Sequence, residues 1–597
     1  MATAAQESQR SLAEEAALLR IAVRRLAEAE KSAAARIRFA RRVIAVALEA
    51  YWRQFAGTAA PRRPCFGPLE GRDLSTEATV LARSLGETAA TADPIEAAYA
   101  IGRAYMAALP SDFRTRLGIY YTPPAIVERL LRLAEAAGVN WTEATVLDPA
   151  CGGGAFLAPV TRRMLGAMKG AEPKTILDSI ERRLSGYELD AFSGWMSQIF
   201  MDAVLLGVTA AAGRQSKAVV SVRDTLDSPP VIAGFDLVIG NPPYGRVRLS
   251  PERRQRYARS LYGHANLYGL FTDFALHSAK PSGVICYVTP TSFLGGEYFR
   301  SLRGLLAREA PPQAIDFVTA REGVFDDALQ ETILATYQKG VVEPRVKVSL
   351  VEPSGTALDV RNIGAMSLPP MPQGPWILPR SYAQARIAER LATLPHRLHD
   401  WGYSVSTGPL VWNRHKGQLR DKPGRQCVPL IWAEAVRPDG TFRFRATRKN
   451  HAPYFRMLPG DGSLLVDQPC VLVQRTTAKE QHRRLIAAEL PTQFLAEHGH
   501  VTVENHLNMV KPARDLPILE EASKALRVSP GAVAAFLNTE VADRAFRCLS
   551  GSVAVSAFEL EALPLPDPME MRAVADAVAK GAPHHEVERL CSELYGF

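Results

Sequence analysis

The chain has 597 residues, 47% hydrophobic and 22% charged, with a formal net charge of +9 at pH 7. That length supplies ample core for several domains, and no uninterrupted apolar stretch reaches membrane-spanning length. The N-terminus is charged from Glu7 and Arg10 onward and lacks the apolar centre of a signal peptide, and seven cysteines without Cys-x-x-Cys pairs suggest neither a disulfide framework nor a zinc site.

The first predicted element runs from about Ser11 to Ala56, alanine-rich with Leu12, Leu18, Leu19 and Ile21 at helical spacing. It is a long helix or a helical hairpin, and Arg36, Arg38, Arg41 and Arg42 read as a solvated face or as phosphate contacts. A second helical stretch covers Pro94 to Leu109. Next comes Gly118-Ile119-Tyr120-Tyr121-Thr122-Pro123-Pro124, followed by Ile126, Val127, Leu130 and Leu131 at helical spacing. Thr122 reads as the N-cap, Pro123 as the first helical residue and Gly138 as the close. Free N–H groups at such a helix start favour a carboxylate.

The segment Val146-Leu147-Asp148-Pro149-Ala150-Cys151-Gly152-Gly153-Gly154 is a short strand running into a glycine turn and then a helix. Glycines let a ligand lie against bare backbone. No Lys-Ser or Lys-Thr follows, which disfavours a phosphate-gripping P-loop, and Asp148 suits a cationic or amino-bearing ligand. A second strand ends in Tyr187-Glu188-Leu189-Asp190, where a doubly wound sheet places a carboxylate for ribose hydroxyls. Glu188 lies further past the glycines than the roughly 20 residues usual for dinucleotide folds, so residues 171–183 are extra helix or loop, and Asp190 is a substitute for it. A third strand, Ala218 to Val222, is followed by Asp224 and Thr225, and Asp224 can accept from an exocyclic amino group. The apolar run Phe235–Gly240 then opens into Asn241-Pro242-Pro243-Tyr244. Prolines hold an extended backbone and aim their carbonyls outward, so this tetrapeptide can grip a planar amino group and stack on its ring. Each acid alone also fits a solvated loop, but three at successive strand ends before this tetrapeptide argue for one site.

Gly283–Val288 is a further buried strand, between helices starting near Asn266 and Glu297. Strands Thr332–Gln338 and Val346–Val351 follow each other closely, as an antiparallel pair would. Pro369 to Pro375 reads as a linker. Beyond it, Val411 to Arg456 is strongly basic and interleaved with Trp412, Trp432, Phe442, Phe444 and Tyr454, a pattern suited to a phosphate backbone and adjacent bases. Gln474-Arg475-Thr476-Thr477 and Asn505-His506-Leu507-Asn508 carry side chains that read base edges or serve as turn residues.

In this order the segments resemble the amino-methyltransferases that use S-adenosylmethionine, and more narrowly the gamma-order, TaqI-like DNA adenine-N6 methyltransferases of restriction-modification type. The resemblance runs from about Tyr120 to Gln338 and is looser beyond. It implies an α/β chain: a helical region over 1–115, a Rossmann-like class I methyltransferase domain over 116–365, a linker over 366–380, and a mixed α/β target-recognition region over 381–597 with a helical C-terminal part. The stretch from Gly551 to Pro566 resembles the ending of such regions.

The resemblance also implies roles. Tyr121, Thr122, Asp148, Ala150, Gly152, Glu188, Asp224, Thr225 and Asn241 would bind S-adenosylmethionine. Thr122 and its backbone would take the methionine carboxylate, Asp148 and Ala150 the amino end, Glu188 the ribose and Asp224 the adenine amino group. Asn241, Pro242, Pro243 and Tyr244 would handle a flipped adenine, with Phe325 as a second aromatic face or a core residue. No metal is called for. Double-stranded DNA would be met by Arg414, Lys416, Arg443, Arg445, Arg448, Lys449 and Arg475. A separately encoded restriction endonuclease or defence protein is the expected partner, and the bacterial cytoplasm, at the nucleoid, the expected location. Alternatives are a cytosine-N4 enzyme, whose tetrad more often begins with serine, a protein glutamine or RNA guanine methyltransferase, usually far shorter, and a non-catalytic DNA-binding specificity module.

Overall fold

The computed structural model describes residues 2–229, 231–319, 331–341, 345–354, 357–368, 373–476, 483–513, 527–549 and 554–597. The chain forms two compact units, one of Met1–Pro290 with Gly304–Asn362, the other of Thr291–Arg303 with Ile363–Phe597. Among the described residues no single helix is long and apolar enough to cross a membrane.

The first unit opens with α1 (Ala2–Glu28), α2 (Ala33–Ala56), α3 (Thr76–Ala90) and α4 (Pro94–Ala108). Local chemistry sets their starts: Ser32 accepts from the Ala35 N–H, and Asp93 accepts from the Ile95 N–H with Pro94 in the first turn. Two short steps, α5 (Ser111–Leu117) and α6 (Pro124–Ala136), lead into the sheet. Its strands are β1 (Val146–Asp148), β2 (Leu184–Glu188), β3 (Val220–Val222) and β4 (Phe235–Gly240), with helices α7 (Leu157–Ala167), α8 (Pro173–Arg183), α9 (Ala191–Val204) and α10 (Leu206–Ala212) between them. The extra stretch before Glu188 is therefore helix, α8. A two-stranded ribbon, β5 (Arg246–Val247) and β6 (Ala265–Asn266), brackets α11 (Pro251–Arg256). Then come, in chain order, α12 (Leu267–Ser278), β7 (Ala279–Pro290), α13 (Ser292–Gly295, which belongs to the second unit), α14 (Arg300–Glu309), β8 (Pro312–Val318), β9 (Thr332–Gln338), β10 (Arg345–Ser354) and β11 (Ala357–Ser367).

Among the described residues the sheet has nine strands in the order β11-β10-β8-β9-β7-β4-β1-β2-β3. The run β7-β4-β1-β2-β3 is parallel, and β9 lies antiparallel between β7 and β8. Parallel strands buried on both faces read as continuous apolar runs, and β4 (FDLVIG) is one. The expected antiparallel pair of Thr332–Gln338 with Val346–Val351 does not form. β8 separates them, and β10 runs parallel to it. Chain order reverses between β1 and β4, the switch point at which open α/β sheets bind ligands beyond their carboxyl ends.

The N-terminal helices share a core with the sheet's own helix α9: Val43, Ile44 and Tyr51 of α2 and Ile101 and Tyr105 of α4 cluster with Phe192, Ile199 and Phe200. The basic row of α2 is largely a set of fasteners, not a solvated face. Arg36 donates to the carbonyls of Ala107 and Ala108, Arg41 pairs with Asp190, and Arg42 with Asp73.

Among its described residues the second unit holds two four-stranded sheets, one packed around Ile431, Leu472, Ile486 and Val501, the other flanked by Leu410, Leu430, Trp432 and Phe455. Part of the expected linker, residues 369–372, lies outside the described residues. The rest is not free: Arg303 donates to the Gly374 carbonyl, and Trp376 is buried edge-on against Phe293.

Candidate functional site

At the carboxyl ends of β1, β2 and β4 the first unit opens a cleft of about 250 Å³. Thr122, Ala150, Gly152, Glu188, Asp224, Thr225 and Asn241 all line it, so the sheet brings most of the sequence-predicted residues together. Phe156, Leu226 and Phe271 supply apolar wall.

Asp148 ends β1 and is only 1% exposed. One carboxylate oxygen accepts from the Ala150 N–H at 3.1 Å, shaping the loop. The other, Oδ2, is buried and has no hydrogen-bond partner among the described residues. Burial pushes this carboxyl up to about 8, with the negative neighbour Glu188 adding to the rise. The glycine turn that follows needs its glycines: a Cβ on Gly153 would stand 2.5 Å from the Tyr121 ring. Tyr121 is itself buried against the loop, its hydroxyl without a partner among the described residues.

Glu188 at the end of β2 is held by two backbone donors, the Gly152 N–H on Oε2 and the Asp190 N–H on Oε1, both at 2.8 Å. Burial raises it to about 7. Asp190 does not take its place in the cleft. It caps α9 through the Ser193 N–H and faces Arg41. Asp224 accepts from the Leu226 N–H and, at 2.6 Å, from Arg253. The Thr225 hydroxyl donates to the Pro149 carbonyl at 2.6 Å, tying the exit of β3 to the glycine loop.

Asn241 stands just past β4. Its Nδ2 donates to the Thr122 hydroxyl at 3.1 Å, and its Oδ1 accepts from the Tyr244 hydroxyl at 2.7 Å. The same Tyr244 hydroxyl lies 3.2 Å from the Val288 carbonyl, and its ring meets Tyr268 edge-on at 6.0 Å. Burial raises the Tyr244 phenol above its ordinary value. Pro242 is buried, and Pro243 packs on Gly118, where an added Cβ would come within 2.3 Å of it.

One detail of the helix start is corrected. Pro123, not Thr122, occupies the N-cap, and Pro124 takes the first turn. Either proline of the pair satisfies the missing-donor rule, so local chemistry did not fix the register. The shift leaves the buried Thr122 hydroxyl to receive Asn241. Phe325 lies outside the described residues. Sequence reasoning passed over Arg253 and Phe271. Ser250-Pro251 did signal the start of α11, but no local pattern connects that helix to Asp224.

In the second unit the seven basic residues divide. Arg445 donates to the Glu434 carbonyl, Arg448 pairs with the buried Glu434 carboxylate at 3.1 Å, and Arg475 donates to the Asn505 carbonyl. Arg414, Lys416, Arg443 and Lys449 are exposed and form no ion pair among the described residues. Lys416 sits 5.6 Å from the Trp412 ring centre. Of the polar residues after the short strand Thr502–Val503, Asn508 is buried against the Val555 carbonyl, whereas His506 is exposed and held by Glu504.

Comparison with known proteins gives consistent matches. Residues 217–325 match the family described as Eco57I restriction-modification methylase. The chain is 25% identical over 467 residues to the type II methyltransferase M.BsuBI of Bacillus subtilis, covering 76% of this chain and 88% of that protein. It is 28% identical over 358 residues to the type II methyltransferase M.PstI of Providencia stuartii, covering 58% and 68%. Among solved structures, the type IIL restriction-modification enzyme MmeI in complex with DNA shares the fold, with a TM-score of 0.56, 13% identity, and 98% and 96% of the two chains covered. The chain is thus similar in sequence to type II restriction-modification methyltransferases and shares the fold of a restriction-modification enzyme.

Proposed function

We propose that the chain is an S-adenosylmethionine-dependent DNA methyltransferase of the gamma-order, TaqI-like group, acting on N6 of a flipped adenine. The observation that carries this reading is Asn241: it lines the same cleft as Glu188 and Asp224, with its amide nitrogen anchored on Thr122 and its carbonyl oxygen, which accepts from the Tyr244 hydroxyl, keeping a second lone pair as an acceptor.

The cleft fits the cofactor. Asp148 does not itself line the cleft but holds the lining residue Ala150 and keeps a buried oxygen, Oδ2, in want of a donor, Gly152 and Gly153 present bare backbone, and Glu188 and Asp224 are acceptors at successive strand ends. Asp148 and Ala150 would hold the amino end, Thr122 the carboxylate, Glu188 the ribose hydroxyls, and Asp224 with Thr225 the adenine. When bound, S-adenosylmethionine supplies an electrophilic methyl group on a sulfonium. Asn241 Oδ1 and the Pro242 carbonyl would accept the two hydrogens of the target amino group, drawing its nitrogen toward tetrahedral geometry and freeing its lone pair. A neutral amide does this without adding a charge. Asn241 Oδ1 has two lone pairs, so it can accept from the target amino group beside the Tyr244 hydroxyl, and the phenol also has the Val288 carbonyl within reach as an alternative acceptor. Its ring would then pack against the flipped base, as extrusion from the duplex requires.

In this reading the second unit meets double-stranded DNA, and the enzyme works at the bacterial nucleoid beside a separately encoded restriction or defence protein. Of the seven basic residues predicted to meet DNA, Arg414, Lys416, Arg443 and Lys449 are exposed and free to touch phosphate. Changing all four to glutamine should lower the log–log salt slope of DNA binding by up to about 0.9 for each phosphate no longer neutralised, leaving cofactor affinity unchanged. An unchanged slope in a filter-binding titration would remove them from the interface. The reading as a whole is tested by incubating the protein with methyl-labelled S-adenosylmethionine and unmethylated plasmid. Label should enter the DNA, and failure to label any duplex would overturn it.

A further inference from the structure

A chain of contacts leads from the N-terminal helices into the cleft. Arg41 on α2 pairs with Asp190 at 2.6 Å, across a separation of 149 residues. Asp190 caps α9 with its other oxygen, through the Ser193 N–H and hydroxyl. Its own backbone N–H donates to Glu188 Oε1, and Glu188 Oε2 receives the Gly152 N–H. The Asp190 side chain is 7% exposed, so its charge needs a partner, and Arg41 lies over the Phe192 ring at 6.0 Å to provide it.

We propose that Arg41 is a positioning residue for Glu188, which makes the N-terminal helical region part of the cofactor site. The proposal rests on the reading that Glu188 binds the ribose. Arg41 neutralises Asp190, keeps the α9 cap in place and so presents Glu188 as an ionised acceptor. A protonated carboxyl loses acceptor capacity, so cofactor affinity falls as pH drops through the Glu188 midpoint. That midpoint is near 7 in the empty cleft.

The other groups facing Glu188 are Asp148 and Cys151 from β1 and its loop, Tyr105 from α4, Tyr121 before α6, and Arg223, whose N–H reaches the Glu188 carbonyl. None of them contacts Asp190 as Arg41 does. Removing Arg41 leaves Asp190 as an uncompensated negative neighbour, which should move the Glu188 midpoint up by about one pH unit.

The test is calorimetric binding of S-adenosylhomocysteine to the full chain between pH 6 and 9. Arg41→Met should bind about fivefold more weakly at pH 7 and recover by pH 9, a displaced midpoint that follows from the one-unit shift. Arg41→Lys should restore most of the wild-type profile. Asp190→Asn keeps the cap and removes the charge, so its midpoint should move down instead.

Arg62 supplies the control. It makes a comparable pair with Asp202 on the same helix, at 2.6 Å, but Asp202 does not touch Glu188. Arg62→Met should lower the melting temperature and leave the midpoint in place. The proposal is overturned if Arg41→Met keeps the wild-type midpoint, or if Arg62→Met shifts it equally. A wild-type protein that does not bind S-adenosylhomocysteine at any pH would instead defeat the cofactor reading, and this inference with it.

Discussion

Asn241→Ala is expected to slow methyl transfer to duplex DNA by about 10²–10³-fold while S-adenosylhomocysteine affinity stays within about threefold of wild type. The side chain has two ends with separate duties. Its nitrogen is spent on Thr122, and its oxygen is the acceptor that a target amino group would meet. Alanine removes the acceptor from the reacting nitrogen, where its effect belongs to the transition state. It also frees the Thr122 hydroxyl, a small change for ground-state binding. Tyr244 keeps a partner in the Val288 carbonyl, so the pocket should not collapse. Single-turnover transfer and equilibrium binding on the same preparation separate the two quantities. Equal losses in both would mean that Asn241 shapes the cofactor pocket and does not act at the target.

Asp148→Asn should trade binding for stability. Cofactor affinity is expected to fall by about 10²-fold, in keeping with the removal of a charge-assisted hydrogen bond. The cofactor-free variant should nevertheless melt higher than wild type at pH 8. The native carboxyl titrates near 8, well above an unfolded aspartate. A raised folded value contributes stability that is complete below the unfolded pKa and is lost as pH rises through the folded one. The loss accumulates at about 1.4 kcal/mol per pH unit over that window. Asparagine carries no charge to bury, so the difference between the proteins should shrink toward pH 5. Melting curves of both proteins at pH 5 and pH 8 check this. A variant less stable than wild type at pH 8 would show that Asp148 is satisfied as an anion in the empty cleft.

The parts of the fold that were legible in the sequence are those whose signal is local. β2, β3 and β4 each end where a strand run meets a polar residue, and Glu188, Asp224 and Asn241 sit at those junctions, so the chain alone points to one cleft for the three. β8 was missed because only Ala310 and Pro311 separate it from α14, and the two merge in pattern. Once β8 is absent, β9 and β10 look like neighbours in space because they are neighbours in chain. The α6 start slipped by one residue because two consecutive prolines fit the same rule.

Pairings between distant residues carry no sequence signal at all. In sequence Arg41 fits a solvated face or a phosphate contact equally, nothing near Arg253 points to Asp224, and a run of arginines does not disclose that Arg445 and Arg448 turn to Glu434. A basic pattern counts charges, and the fold decides which of them are already spent.

The most direct measurement is nucleoside mass spectrometry of DNA from a methylation-free bacterial host expressing the wild-type chain, beside the same host expressing Asn241→Ala. The account predicts N6-methyladenine with the wild-type protein and little or none with the variant. N4-methylcytosine in place of N6-methyladenine, or no modified base with a protein that binds S-adenosylhomocysteine, would contradict it.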